Sequence, residues 1–192
     1  MECAENTKLM TKNPTGISET VEISDQRLGK VTSFKYLDVI ILDKGSKPEV
    51  ISKIAQTTSA MAKLKPLWNA KNISLGSKIK LMCTLAISIF LYACETWTLT
   101  ADLERRIQAL ELRCFGKIVN ISYKDHVTNK EVRTRVKQAI GPYDDLLTTV
   151  RLRKLCWYGH ISRSSGLAKT ILSLYIKYSG NLSFSHCLKL GK

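Results

Sequence analysis

Ile87-Ser-Ile-Phe-Leu-Tyr-Ala-Cys-Glu-Thr-Trp-Thr-Leu99 is the stretch on which the reading of this chain turns. From Leu81 to Cys94 the sequence runs without a charge, bracketed by Lys78, Lys80 and Glu95. A bilayer span needs about 20 apolar residues, so this run is too short to cross a membrane. It predicts the central helix of a soluble helical core, apolar on most of its faces and therefore surrounded.

The segments that would surround it are basic. The net charge of the chain is +14. Residues 1–45 hold six Lys/Arg against seven Asp/Glu, whereas residues 46–192 hold 24 against nine. The excess thus sits wholly on the second part, where it favours a polyanionic partner. A merely soluble basic protein is the plainer alternative. A membrane-surface protein is disfavoured, because the cations spread over several helices instead of gathering beside one anchor. The hydrophobic content of 44% is enough to close a core, which argues against global disorder.

Helix signals divide the basic part. Ser46-Lys47-Pro48-Glu49 is a capping box with proline in the first turn. Val50, Ile51, Ile54, Ala55, Met61 and Leu64 follow at helical spacing, and Pro66 marks the end. A second helix starts near Ser74 and contains the apolar run. Thr100 caps a third, with Asp102 and Glu104 in its first turn. Its stripe is Leu103, Ile107, Leu110, Cys114, Ile118 and Ile121, with Arg105, Arg106, Arg113 and Lys117 facing outward. These three helices are expected to form an antiparallel bundle. Thr128-Asn129-Lys130-Glu131 opens a shorter helix that Gly141-Pro142 stops. A last helix is expected from about Tyr143 to Ser162. From about Ile171 the periodicity fades, so a loosely packed tail is expected over 171–192. Ahead of residue 46, Val21-Glu22-Ile23 and the β-branched run from Val31 to Leu42 predict a small antiparallel hairpin. The expected class is mainly α with that N-terminal hairpin (α+β).

Catalytic constellations are weak. Tyr143-Asp144-Asp145 is close to the metal-binding Tyr-x-Asp-Asp of polymerases, but lacks the intervening residue and precedes a helix. Two acids there are what a helix N-terminus favours. Cys156 and His160 are one turn apart, yet zinc takes about four ligands, and His186-Cys187 lies in the irregular tail. His126 has no nucleophile arranged around it, and neither a phosphate loop nor a pair of metal carboxylates is visible. The six cysteines follow no disulfide spacing and no signal peptide is apparent. Cys83, Cys94 and Cys114 fall on apolar helix sides, so reduced, buried thiols in an intracellular protein are expected, nuclear or cytoplasmic. In Arg151-Leu-Arg-Lys-Leu-Cys-Trp-Tyr-Gly-His-Ile-Ser-Arg163 cations alternate with flat rings that can stack on bases. The same pattern also suits an amphipathic helix that buries its own aromatics.

Several motifs occur together and in order: Thr32-Ser-Phe-Lys-Tyr-Leu37, Gly45-Ser-Lys-Pro-Glu49, Ile54-Ala-Gln56, Ser88-Ile-Phe-Leu-Tyr-Ala-Cys-Glu-Thr-Trp-Thr-Leu99, Ile121-Ser-Tyr-Lys-Asp-His-Val-Thr-Asn129 and Trp157-Tyr-Gly-His-Ile-Ser-Arg163. Over roughly residues 5–172 the set resembles the C-terminal part of the endonuclease–reverse transcriptase of LINE-type non-LTR retrotransposons, a transposable element's RNA-directed DNA polymerase. The resemblance implies a palm-edge hairpin over 1–45, a three-helix thumb over 46–122 and a basic nucleic-acid-binding segment over 123–170. It places the endonuclease, the fingers and the palm aspartates upstream of this chain. A fragment without catalytic residues is therefore expected, with no cofactor of its own, Mg2+ belonging to the intact polymerase. Asp38 stands where the family usually has Gly, the sequence departs from the family after Ser173, and Met1 reads as an internal methionine.

The nucleic-acid candidates are Lys53, Lys63, Lys65, Lys71, Lys78 and Lys80 on the thumb, then Arg151, Arg153, Lys154, Trp157, His160 and Arg163. The expected partner is an RNA–DNA or duplex backbone. The alternative is a non-catalytic helical module that binds protein, or itself, through an exposed apolar seam.

Overall fold

The computed structural model describes residues 8–9, 22–23, 26–27, 29–31, 33–36, 39–42, 45–121, 125–167 and 169–170. The turn at Asp25, Asp38, residues 122–124 of the fifth motif, and the tail from residue 171 lie outside the described residues. The chain divides into two units, Met1–Glu49 and Val50–Lys192.

In the first unit the backbone forms three short pairings. Lys8–Leu9 runs parallel to Gly29–Lys30; Glu22–Ile23 lies antiparallel to Gln26–Arg27, and Ser33–Tyr36 to Val39–Leu42. Pairs of two to four residues do not hold a sheet together by themselves. The fold class that the structure establishes is mainly α.

Helix α1 spans Lys47–Lys63, with Pro48 and Glu49 in its first turn. From Val50 onward its inner side carries Val50 and Met61, buried, and Ile54 and Leu64, partly buried; Ile51 instead points outward. Helix α2, Lys65–Asn69, carries Pro66 in its first turn, where the missing N–H leaves no bond unmade. Its Trp68 is buried and donates its indole N–H to the Met61 carbonyl at 2.8 Å, which fixes α2 to the end of α1.

The apolar run is not one regular helix. Ser74 caps α3, Leu75–Met82, by accepting from the Ser77 amide. A π-helical turn, Cys83–Ile87, follows, and α4, Ser88–Leu91, completes the rod. The wide turn sends both Ala86 and Ile87 inward, joining Ile79, Met82, Phe90 and Leu91 on one buried side. The other side carries Cys83, Thr84, Leu85, Ser88 and Tyr92, all exposed. The expectation of a surrounded rod is therefore corrected: it is buried along one face, because its uncharged residues include Thr and Ser that need no burial. Ala93 then adopts the left-handed conformation (φ 59°) and ends the rod, and a 3-10 turn spans Cys94–Thr96. Trp97 folds back beneath it, with its ring edge-on to Phe90 at 5.1 Å and 69°.

Helix α5, Ala101–Val119, is the centre of the unit. Thr100 caps it through the Leu103 amide, and Asn120 closes it in the left-handed conformation. Leu103, Ile107, Leu110, Cys114 and Ile118 are all buried, as their spacing predicts, and Glu111 and Phe115 are buried with them. Helices α2 and α3 pack on α5, as do α6, Asn129–Ile140, and α7, Leu146–Arg163. Val132, Val136, Leu146, Leu147 and Val150 join the same core, so the segment after residue 122 shares it.

Two consequences can be measured by urea denaturation. Phe90→Ala opens a cavity beneath Trp97 and is expected to cost about 3–5 kcal/mol, whereas Leu85→Ala on the exposed face costs less than about 1 kcal/mol. Ala93→Gly removes the left-handed penalty on a side-chain-bearing residue and is expected to stabilise by about 1 kcal/mol.

Candidate nucleic-acid interface

The twelve candidate residues fall into two physical classes. Five are engaged within the fold. Lys53 is 4% exposed, and its ammonium lies over the Tyr92 ring, 4.8 Å from the centroid, in a cation–π contact. Lys78 donates to the Trp68 carbonyl at 2.7 Å, satisfying a carbonyl at the end of α2. Arg151 pairs with Glu104 at 2.7 Å and so ties α7 to the first turn of α5. Arg153 reaches the Leu91 carbonyl at 3.4 Å and the Glu95 carboxylate at 3.7 Å. Lys154 donates to the Trp97 carbonyl. Arg153 and Lys154 thus satisfy carbonyls left open where the rod ends and turns back. Helix ends leave such groups without intrahelical partners, and cations there also complement the helix dipole.

Seven candidates remain outward. Lys63, Lys65, Lys71 and Lys80 are exposed, and their ammonium groups make no ion pair or hydrogen bond to other described residues. On α7, Trp157, His160 and Arg163 are exposed as well. Trp157 retains 38% of its surface, so it is not part of the buried core. The two alternatives for α7 therefore divide along the helix. Its first turns bury Leu146, Leu147 and Val150; its last turns present rings and cations. Arg105, Arg113 and Lys117 of α5 are exposed too, and Arg106 is held by Asp102 at 3.1 Å.

Sequence patterning did not single out a polar cluster that fixes this arrangement. Glu111 is 4% exposed, and its Oε1 accepts the Leu146 amide at 2.8 Å. Its Oε2 meets the Arg133 guanidinium at 2.9 Å, and Arg133 lies 3.6 Å from Asp145. Asp145 in turn caps α7 by accepting the Thr148 amide at 2.7 Å. One charged residue set inside the apolar stripe of α5 was the signal. The paired aspartates are therefore placed as helix-start groups: Asp145 caps, Asp144 is exposed, and the Tyr143 ring stands edge-on to Phe115.

Burial pushes the Glu111 carboxyl up; the Leu146 amide and Arg133 pull it back, and Asp145 adds to the rise. For Asp145 burial also pushes upward, but bonds from Thr148 and the Arg133 guanidinium outweigh it and hold the carboxyl below its usual value. Burial raises the thiols of Cys94 and Cys114 to about 11, so both stay protonated at neutral pH. Cys83, expected to be buried, is exposed, because the π turn rotates it off the buried side. Cys156 is exposed on α7. Among the described residues no group of three or more His, Cys, Asp or Glu is placed to hold a metal ion, and no helix is long and apolar enough to cross a membrane.

Arg133→Ala strands the Glu111 carboxylate and is expected to cost about 2 kcal/mol in urea melts, less than for a wholly buried pair because the Arg133 side chain keeps 29% exposure. The lowered Asp145 value means that its ionised form stabilises the fold above the ordinary carboxylate range. That contribution disappears as pH falls through the lowered value. Glu111, shifted upward, offsets part of the loss, so comparison with Asp145→Asn isolates the step: the variant should lose less stability than the native chain between neutral and strongly acidic pH. No family profile, no curated protein and no solved structure matches this chain.

Proposed function

We propose that this chain is a nucleic-acid-binding helical fragment of a LINE-type reverse transcriptase, corresponding to the thumb and the basic segment beyond it. In this reading residues 1–45 are the palm-edge hairpin, and the polymerase and endonuclease activities belong to the upstream parts of the intact enzyme. The fragment grips an RNA–DNA or duplex backbone with little sequence preference and incorporates no nucleotides by itself. The observation that carries the reading is the set of exposed cations with no partner among the described residues. Lys63, Lys65 and Lys71 cluster around α2, Lys80 lies on α3, and Arg163 stands beside Trp157 and His160 on the outer turns of α7. The rest of the basic excess contributes to long-range attraction but is partly neutralised by its own ion pairs.

The interaction-module reading has one observation in its favour. Leu85 and Tyr92 on the open side of the rod, Ile51 on α1 and Leu152 on α7 are each more than 40% exposed. Size-exclusion chromatography separates the readings: self-association that nucleic acid does not alter favours the module.

Backbone gripping predicts that log affinity for a duplex falls linearly with log salt in a filter-binding titration. Replacing Lys63, Lys65, Lys71 and Lys80 together by Gln is expected to flatten that slope by about one unit for each phosphate no longer neutralised, without changing the urea midpoint. Affinity independent of salt, or no binding at low salt, overturns the reading.

A further inference from the structure

Beside the α1–α2 junction lies a cleft of about 420 Å³ whose walls come from α1, α2 and the last turn of α5. Met61, Ala62 and Trp68 supply apolar lining, and Trp68 is held by its indole hydrogen bond to the Met61 carbonyl. Two exposed cations line it, Lys65 from α2 and Lys117 from α5. Two exposed carboxamides, Asn69 and Asn120, line it as well, each with paired donors and an acceptor. Among the described residues no acid contributes to the lining.

We infer that this cleft binds a single nucleotide, a base together with its phosphate, as the free monophosphate or as the terminal residue of a strand. The proposal rests on the nucleic-acid reading above and adds to the duplex-gripping surface a site for one nucleotide. The volume is far too small for a duplex, but lies within the usual range of small-ligand pockets. An apolar wall with an aromatic edge suits the flat face of a base. Carboxamides are among the side chains that pair with base edges. Polarity then sets the direction of binding. The lysine-bearing end of α5 also presents the negative end of its helix dipole, which opposes a phosphate and favours the amino edge of a base. The phosphate therefore goes toward Lys65, and Lys117 offsets the dipole locally.

Gly116 supplies a clean test. It lines the cleft, and a Cβ added there meets nothing within 4 Å, so a larger side chain fills the space without clash. It sits inside α5, where almost any replacement of glycine favours the helix. The probe is the indole N–H of Trp68 in protein NMR spectra, with that of Trp97, buried in the core, as the internal reference. Nucleoside monophosphates are expected to shift Trp68 selectively, and the matching nucleosides to bind at least about tenfold more weakly. Gly116→Leu should weaken the monophosphates about tenfold or more, while duplex binding at low salt stays within about twofold of the native chain. Lys65→Gln should remove most of the difference between nucleotide and nucleoside.

No shift of Trp68 at about 10 mM monophosphate overturns the proposal. If the duplex still binds, the backbone reading stands alone; if neither binds, both fall. Equal binding of nucleosides and nucleotides also overturns the proposal, since the phosphate is part of it. An oligonucleotide bearing a terminal phosphate decides the source of the nucleotide. Tighter binding than its dephosphorylated form, abolished in Gly116→Leu, assigns the site to a strand end. The same affinity for both assigns it to the free monophosphate.

Discussion

Glu111 is the constraint around which the helical unit is organised. A carboxylate this buried has a place only where its oxygens are met, and the two partners come from two other helices. The Leu146 amide belongs to the first turn of α7, and the Arg133 guanidinium to the side of α6. Satisfying one side chain of α5 thus fixes where α6 runs and where α7 begins. Asp145 closes the arrangement by capping α7 and sharing Arg133. Apolar packing is non-directional, whereas a carboxylate that accepts the Leu146 amide and pairs with the Arg133 guanidinium adds directional contacts to two elements. The opposed shifts of Glu111 and Asp145 have the same origin, since the more deeply buried acid has fewer donors to offset its desolvation.

The positive charge of the chain serves two purposes that composition cannot separate. Some cations finish the fold: Lys78 on the Trp68 carbonyl, and Arg153 and Lys154 on carbonyls around the end of the rod. Others, such as Lys63, Lys71 and Arg163, lie on the surface and remain available to a phosphate. The first group is bound to particular backbone atoms and contributes directional bonds. The second contributes field, which salt screens within about 10 Å at 0.1 M. A count of basic residues on the helical part therefore overstates the attraction that any polyanion would meet at close range.

How much was legible in the sequence depended on how local the signal was. Thr100 and Thr128 cap the helices that they were expected to cap, and Ser74, near which a helix was expected to start, caps α3, because the capping bond joins residues three apart. Gly141, at φ 82°, and Pro142 stop α6 for reasons equally local. The stripe of α5 was readable because one uninterrupted helix keeps a constant period. The rod was not, because a π turn changes that period within five residues, and Cys-Thr-Leu-Ala-Ile announces nothing of the kind. Among the candidate cations, Lys53 and Lys63 lie on the same helix at similar residue types, yet one is buried against Tyr92 and the other is exposed. Only the position of a residue some forty places later decides between them. The cleft beside Trp68 was hidden for the same reason, since it needs α5 to end next to α2.

Helix α7 changes character along its length. Its first turns are buried and tied down through Arg151, Arg153 and Lys154, and after Lys154 no residue of the helix is buried. The remaining nine residues to Arg163 form a rod about 14 Å long, at about 1.5 Å per residue, half-buried or exposed throughout. A helical end of this kind opens locally at little free-energy cost, so its amides exchange with solvent long before those near Val150. The rings and cations at Trp157, His160 and Arg163 thus sit beyond the last buried residue of the helix. A partner that grips them has to order that end as it binds.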